Sequence, residues 1–217
     1  MEKSKIKNGP HKSYFKDGKP KAEGPYKNGK RHGVWEDRGG FYWSGREISG
    51  GSVRKGSYLN GKREGLWEFY RDEKKGVLSK NGNYKNGKKH GIWDIWEISG
   101  VVLDKRCEYS HGRLKTVWQY QHGIQRRKNS IKNGAKHGPS ETYDDKGNVS
   151  IRGYYKDGHH SGLWEWYSPL GKVTFKGLYT NDQKNGLWEF FDDNGKLYKT
   201  EFWTKDHLKK GNTKRFK

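Results

Sequence analysis

The stretch Gly82–Gly100, GNYKNGKKHGIWDIWEISG, decides the fold. It opens on Gly-x-Tyr, passes through Asn86-Gly87-Lys88, and closes on Gly-x-Trp-x-x-aromatic. Asn-Gly between two aromatic runs is the strongest short-range hairpin signal, because a type I′ turn needs positive φ at both central residues. The stretch recurs as GSYLNGKREGLWEFY from Gly56, GYYKDGHHSGLWEWYSPLG from Gly153 and GLYTNDQKNGLWEFFDDNG from Gly177. A looser copy starts at Gly24, and two degenerate copies start at Cys107 and Asn129. Starts at 24, 56, 82, 107, 129, 153 and 177 give a period of about 24 residues, with an insertion near Gly39 to Gly51. A leading half-repeat, NGPHKSYFKDG, occupies 8–18. Self-similarity at such a period signals a repeat array.

Each repeat reads as two strands. Asn28-Gly29, Asn60-Gly61, Asn86-Gly87, Asn133-Gly134 and Asp157-Gly158 mark the turn inside a repeat. Asp17-Gly18, Lys146-Gly147, Leu170-Gly171 and Asn194-Gly195 mark the turn between repeats. The expected fold is all-β: an elongated, single-layer antiparallel meander of about seven hairpin repeats over residues 8–203, with basic tails at 1–7 and 204–217. Alternation along a strand places Trp35, Trp67, Trp93, Trp164 and Trp188 on one face with Tyr58, Tyr84 and Tyr179. These rings form the expected core, and the glycine of the facing strand makes room for each indole. The acidic residue beside each Trp is expected to meet lysines such as Lys176 across the strands.

Composition agrees. The chain of 217 residues holds 10 Trp, 14 Tyr and 31 Gly but only two Ala, and its net charge is +21. Scarce aliphatics with high charge otherwise read as disorder; large rings replace the missing aliphatic core. Few helix formers argue against a helical bundle. The single Cys107 excludes an intrachain disulfide. No apolar run reaches the roughly 20 residues of a membrane-spanning helix, and the first residues lack the apolar core of a signal peptide. A cytoplasmic protein is expected.

The units resemble the MORN repeat, and more closely the bacterial variant of YwqK-type antitoxin proteins, on Tyr84-Lys85-Asn86-Gly87-Lys88-Lys89-His90-Gly91-Ile92-Trp93 and their counterparts. The resemblance implies an interaction module. Its antitoxin label implies binding and neutralising a protein partner of toxin or effector type. The chain departs from the pattern at Thr116, where glycine is expected, at Ser140, where Trp is expected, and in the 39–51 insertion. The middle repeats are therefore expected to bend the array or carry a partner site.

The candidate site is a basic edge. Lys30, Arg31, His32, Lys62, Arg63, Lys88, Lys89, His90, Lys136, His137, His159 and His160 recur in the same turn. A row of cations is a footprint for a polyanion, an acidic phospholipid surface or nucleic acid; charged turns also keep sheet edges soluble. The net charge exceeds the ordinary solubility range of ~2–8. About half of it lies in residues 1–21 and 205–217, each with a balance of +5. The rings could stack bases, but recurrence at fixed repeat positions is what a core requires. No catalytic constellation, cofactor site or metal site is expected. His159-His160 near Asp157 occupy an exposed turn, Cys107 packs in a glycine slot, and Glu68, Asp94, Glu165 and Glu189 repeat one structural position. The expectation is a non-enzymatic binding module. Protein binding leads, and polyanion binding is the alternative.

Overall fold

The computed structural model describes residues 7–43, 46–72 and 76–216, without the side chains of 40–50 and 72. Most of the basic tail at 1–7 and the side chains of the 39–51 insertion lie outside the described residues. All regular structure described is β. The chain forms two compact units, residues 1–113 and 114–217, here called the first and second halves.

The first half carries β1 (Gly9–Tyr14), β2 (Pro20–Lys27), β3 (Lys30–Arg31), β4 (Gly33–Trp43), β5 (Arg46–Leu59), β6 (Lys62–Asp72), β7 (Val77–Lys85), β8 (Lys88–Trp96) and β9 (Leu103–Ser110). Each strand pairs antiparallel with its chain neighbour, β3 and β4 sharing β2 as partner. The insertion lengthens one hairpin, continuing the β4–β5 ladder to Trp43 opposite Arg46.

The second half continues in the same manner. Its strands are β10 (Arg113–Gln121), β11 (Ile124–Lys132), β12 (Ala135–Tyr143), β13 (Val149–Lys156), β14 (His159–Tyr167), β15 (Val173–Thr180), β16 (Gln183–Phe191), β17 (Leu197–Thr204), β18 (His207–Leu208) and β19 (Lys214–Arg215). The last two both pair with β17. The stretch set apart as a C-terminal tail is therefore joined to the sheet over these residues. Hairpins with His122-Gly123, Asn181-Asp182 and Lys205-Asp206 at positive φ complete the meander.

The hairpins follow from their turns. Asn86 and Gly87 lie at φ 52° and 78°. Both are left-handed, as type I′ requires. Asn28-Gly29, Asn60-Gly61, Asn133-Gly134 and Asp157-Gly158 repeat this geometry, whereas in Asp17-Gly18 and Asn194-Gly195, between repeats, only the glycine is left-handed.

The core is a column of rings on one face within each half. Trp35, Trp67, Trp93, Trp164 and Trp188 are all buried. Each lies against a glycine of the preceding strand: Trp67 on Gly56, Trp93 on Gly82, Trp164 on Gly153, Trp188 on Gly177. A methyl group on Gly82 would sit 2.4 Å from the Trp93 ring. Each indole N–H also donates to a backbone carbonyl ten residues back, Trp67 to Ser57 at 3.0 Å and Trp93 to Asn83 at 3.0 Å. A buried indole thus leaves no orphaned donor. Tyrosines stand edge-on between successive indoles. Tyr84 is 6.1 Å from Trp67 and 5.0 Å from Trp93, ring centre to ring centre. T-shaped pairs of this spacing gain roughly 0.5–1.5 kcal/mol beyond area burial.

The opposite face carries the expected charge ladder. Lys55 meets Glu36 at 3.0 Å, Arg106 meets Asp94 at 2.7 Å, and Lys176 meets Glu189 at 3.1 Å.

Candidate interaction edge

The basic turns of each half stack along one sheet edge and hydrogen-bond to each other. In the first half the N–H groups of Gly61, Gly87 and Gly112 donate to the carbonyls of Arg31, Arg63 and Lys89 at 2.8–2.9 Å. In the second half Gly158, Asp182 and Asp206 donate to Lys136, His160 and Lys184. The turn amides are therefore consumed by a ladder of their own and are not presented to an anion. Side chains seal the ladder further: Glu64 accepts from the N–H of Asn86 at 2.8 Å, and Asp206 from that of Lys184 at 2.7 Å.

The cations of this edge divide into three positions. The first residue after the turn points to solvent; Lys30, Lys62, Lys88 and His159 are exposed. The second folds over the aromatic column. Arg31 lies 4.0 Å from the Trp35 ring centre, Arg63 4.3 Å from Trp67, Lys89 4.4 Å from Trp93. Lys136 lies 4.6 Å from Tyr155, and His160 packs 4.4 Å from Trp164. Arg63 also donates to the Tyr84 hydroxyl at 3.0 Å. These side chains cap the core, so five of the twelve residues of the expected basic row face inward. Burial pushes the Lys89 ammonium below its ordinary value, with Lys80 repelling it further. The third position is half-buried: His32, His90 and His137. Lys184 is a further cap, 4.3 Å from Trp188, that the sequence reading did not single out. Its recurrence at the second place after a turn was the available signal.

The histidines of the second half meet carboxylates. His137 Nδ1 is 3.0 Å from Asp157. Asp182 receives both His159 Nδ1 at 2.5 Å and His160 Nδ1 at 2.6 Å, together with the His160 backbone N–H at 2.7 Å. That amide and the two imidazoles hold the Asp182 carboxyl down at about 2. Among the described residues no group of three or more His, Cys, Asp or Glu is placed to hold a metal ion. Cys107 is buried opposite Trp93, and burial pushes its thiol pKa up. Such a thiol is a poor nucleophile. Among the described residues no helix is long and apolar enough to cross a membrane.

Within each half, the face opposite the indoles presents exposed apolar residues. Val34, Leu66 and Ile92 in the first half, and Leu163, Leu178, Leu187 and Phe202 in the second, are all exposed. Leu163 pairs with Leu178 across strands, and Leu187 with Phe202.

A family model described as MORN repeat variant matches residues 7–28, 136–157, 161–181 and 184–205. Over these four stretches the chain is similar to MORN repeats, and such an array is consistent with a binding module. No curated protein matches the chain by sequence. Among solved structures, a mutant of S. aureus TarM crystallised with Fondaparinux, alpha-GlcNAc-glycerol and UDP is 14% identical, covers 44% of this chain and 19% of its own, and has a TM-score of 0.34. A second TarM structure is 14% identical, with coverages of 57% and 20% and a TM-score of 0.28. A TcdB2-TccC3-TEV structure is 11% identical, with coverages of 92% and 12% and a TM-score of 0.22. This chain spans about a fifth or less of the length of these structures.

Proposed function

We propose that this protein is a non-enzymatic binding module whose partner is a protein, held as an inhibitor of antitoxin type or as a scaffold. The observation that carries the reading is the set of exposed apolar residues that each half carries on its face opposite the tryptophans. Leu66 is 52% exposed, Ile92 43%, Leu163 47% and Leu187 46%. Scattered apolar residues on a surface need no explanation, but contiguous ones mark interaction surfaces. In the second half they are contiguous across strands, Leu163 beside Leu178 and Leu187 beside Phe202; in the first half the same repeat position supplies Val34, Leu66 and Ile92 with Ser57, Asn83 and Glu108 opposite them, and the neighbouring charges on that face pair among themselves. Exposed Lys30, Lys62 and Lys88 border the row and favour an acidic partner.

The test is affinity capture from the native source with the wild type and with Leu66→Glu/Ile92→Glu and Leu163→Glu/Leu187→Glu chains. A stoichiometric protein lost in the variants supports the reading. Recovery of no such protein, or capture undiminished by the substitutions, overturns it.

The exposed lysine row and the net charge of +21 favour a second reading, polyanion binding. It requires association that weakens steeply with salt. Lys30→Glu/Lys62→Glu/Lys88→Glu should abolish binding to acidic vesicles or to nucleic acid, and unchanged affinity would sink it.

A further inference from the structure

In the second half the aromatic column has a gap. The repeat that starts at Asn129 carries Ser140 where every regular repeat has Trp, and Asn129 where it has Gly. The two changes are matched. Ser140 pairs with Asn129 in register, and its hydroxyl donates to the Asn129 side-chain oxygen at 3.0 Å; both residues are buried. A short polar pair thus replaces an indole lying on a glycine.

The neighbours are still built for the ring. Tyr179 stands between two indoles, 6.2 Å from Trp164 and 5.3 Å from Trp188. Tyr155 is 5.2 Å from Trp164 on one side and faces Ser140 on the other. Lys184 lies over Trp188 and Trp203, whereas Lys136 lies over Tyr155 with no indole in its own repeat. What remains is a pocket of about 290 Å³ lined by the Asn129–Ser140 pair, Tyr155, Trp164 and Trp166, by His160 packed against Tyr155 and Trp164, and by the cations Lys136 and Arg127. No carboxylate lines it. The volume is close to the lower bound of small-molecule sites, roughly 300 Å³, and the mix of apolar walls with few polar groups is theirs too.

We propose that this pocket binds a small aromatic carboxylate, whose ring lies over the Asn129–Ser140 pair against Tyr155 and Trp164 and whose anionic group meets Lys136 and Arg127. The ring gains edge-to-face contact with Tyr155 and Trp164 and lies under the Lys136 ammonium, as Trp188 lies under Lys184. The carboxylate satisfies cations that no acidic side chain of the pocket answers. The pocket lies on the tryptophan face, so its occupancy is independent of docking on the apolar row.

The experiment follows the indole N–H resonances of Trp164 and Trp166 in the full chain by NMR, titrating indole-3-acetate and, as the uncharged control, indole. The expected result is a saturable shift with the acid, at an affinity a few-fold above that of indole, about what one partly exposed charge contact supplies. Asn129→Gly/Ser140→Trp rebuilds the regular repeat and fills the pocket with its own ring. It should fold at least as stably and bind at least about tenfold more weakly. Lys136→Gln/Arg127→Gln should erase the preference for the acid over indole, which keeps the test decisive where the filled chain does not fold. The absence of a saturable shift at about 10 mM, near the floor of meaningful affinity, overturns the proposal. Equal binding by a folded, filled chain, or an acid preference that survives Lys136→Gln/Arg127→Gln, also overturns it.

Discussion

Placing a methyl group on Gly82 should be far more damaging than placing one on Gly91, nine residues away on the facing strand. The Gly82 position leaves 2.4 Å between the added carbon and the Cγ and Cδ2 atoms of Trp93. Ordinary carbon contacts need roughly 3.5–4.0 Å, so the ring must retreat by more than about 1 Å. It has nowhere to go without loss. Trp93 is fully buried, wedged 5.0 Å from Tyr84 and 6.4 Å from Tyr109, capped by Lys89 and hydrogen-bonded to Asn83. Overpacking alone costs about 1–3 kcal/mol, and expelling a buried Trp about 3–5 kcal/mol. Gly91 has φ 67° and open space around it, so alanine there meets only the left-handed backbone penalty, roughly 1–2 kcal/mol. Gly82→Ala should therefore exceed Gly91→Ala by about 2 kcal/mol or more, a factor of about 30 in the folding constant. Urea unfolding followed by tryptophan fluorescence measures the difference. Hydrogen exchange at β7 and β8 separates local from global loss, since repeats unfold in part. A Gly82→Ala chain no less stable than Gly91→Ala would refute the ring-on-glycine account of the core.

The two kinds of turn cation should behave differently. Arg63→Met removes contacts to Trp67 and the Tyr84 hydroxyl and should cost about 1–2 kcal/mol, while Lys62→Met at the exposed neighbour should stay within about 0.5 kcal/mol; chemical unfolding of both decides it. Asp182 has its carboxyl lowered to about 2 by the His160 amide and the His159 and His160 rings. Its contribution is therefore fully present above the unfolded value of about 3.9 and is lost as pH falls through about 2. The stability gap between the wild type and Asp182→Asn should be flat above pH ~4 and close below it, and a gap that persists at pH ~2 would contradict this. Cys107 should react with a disulfide reagent only on unfolding, because burial raises its thiol pKa; prompt labelling of the native chain would count against that packing.

Most of the fold was legible because one strong rule repeats. Gly and Trp eleven residues apart, with Asn-Gly between, give strand, turn and facing partner at once, as Gly82 and Trp93 show. The turns at Asn181-Asp182 and Lys205-Asp206 were not legible, because non-glycine residues there take the left-handed conformation that Gly normally signals. The candidate edge was legible in position but not in direction. Lys62 and Arg63 are adjacent basic residues in sequence, yet strand alternation sends one to solvent and the other over Trp67. The Ser140 departure was visible as a broken rule. The pocket beside it depended on how Lys136 and Tyr155 were left standing.

Within each half the two faces of the sheet are assigned opposite roles, core and docking surface, and hydroxyl-radical footprinting of the full chain tests that assignment most directly. In the free protein Leu66, Ile92, Leu163 and Leu187 should label readily, and Trp67, Trp93 and Trp188 should resist until the chain unfolds. With the captured partner bound, the four aliphatic residues should become protected. Tryptophans that label as fast as the aliphatic row in the free chain, or protection confined to the lysine turns, would contradict it.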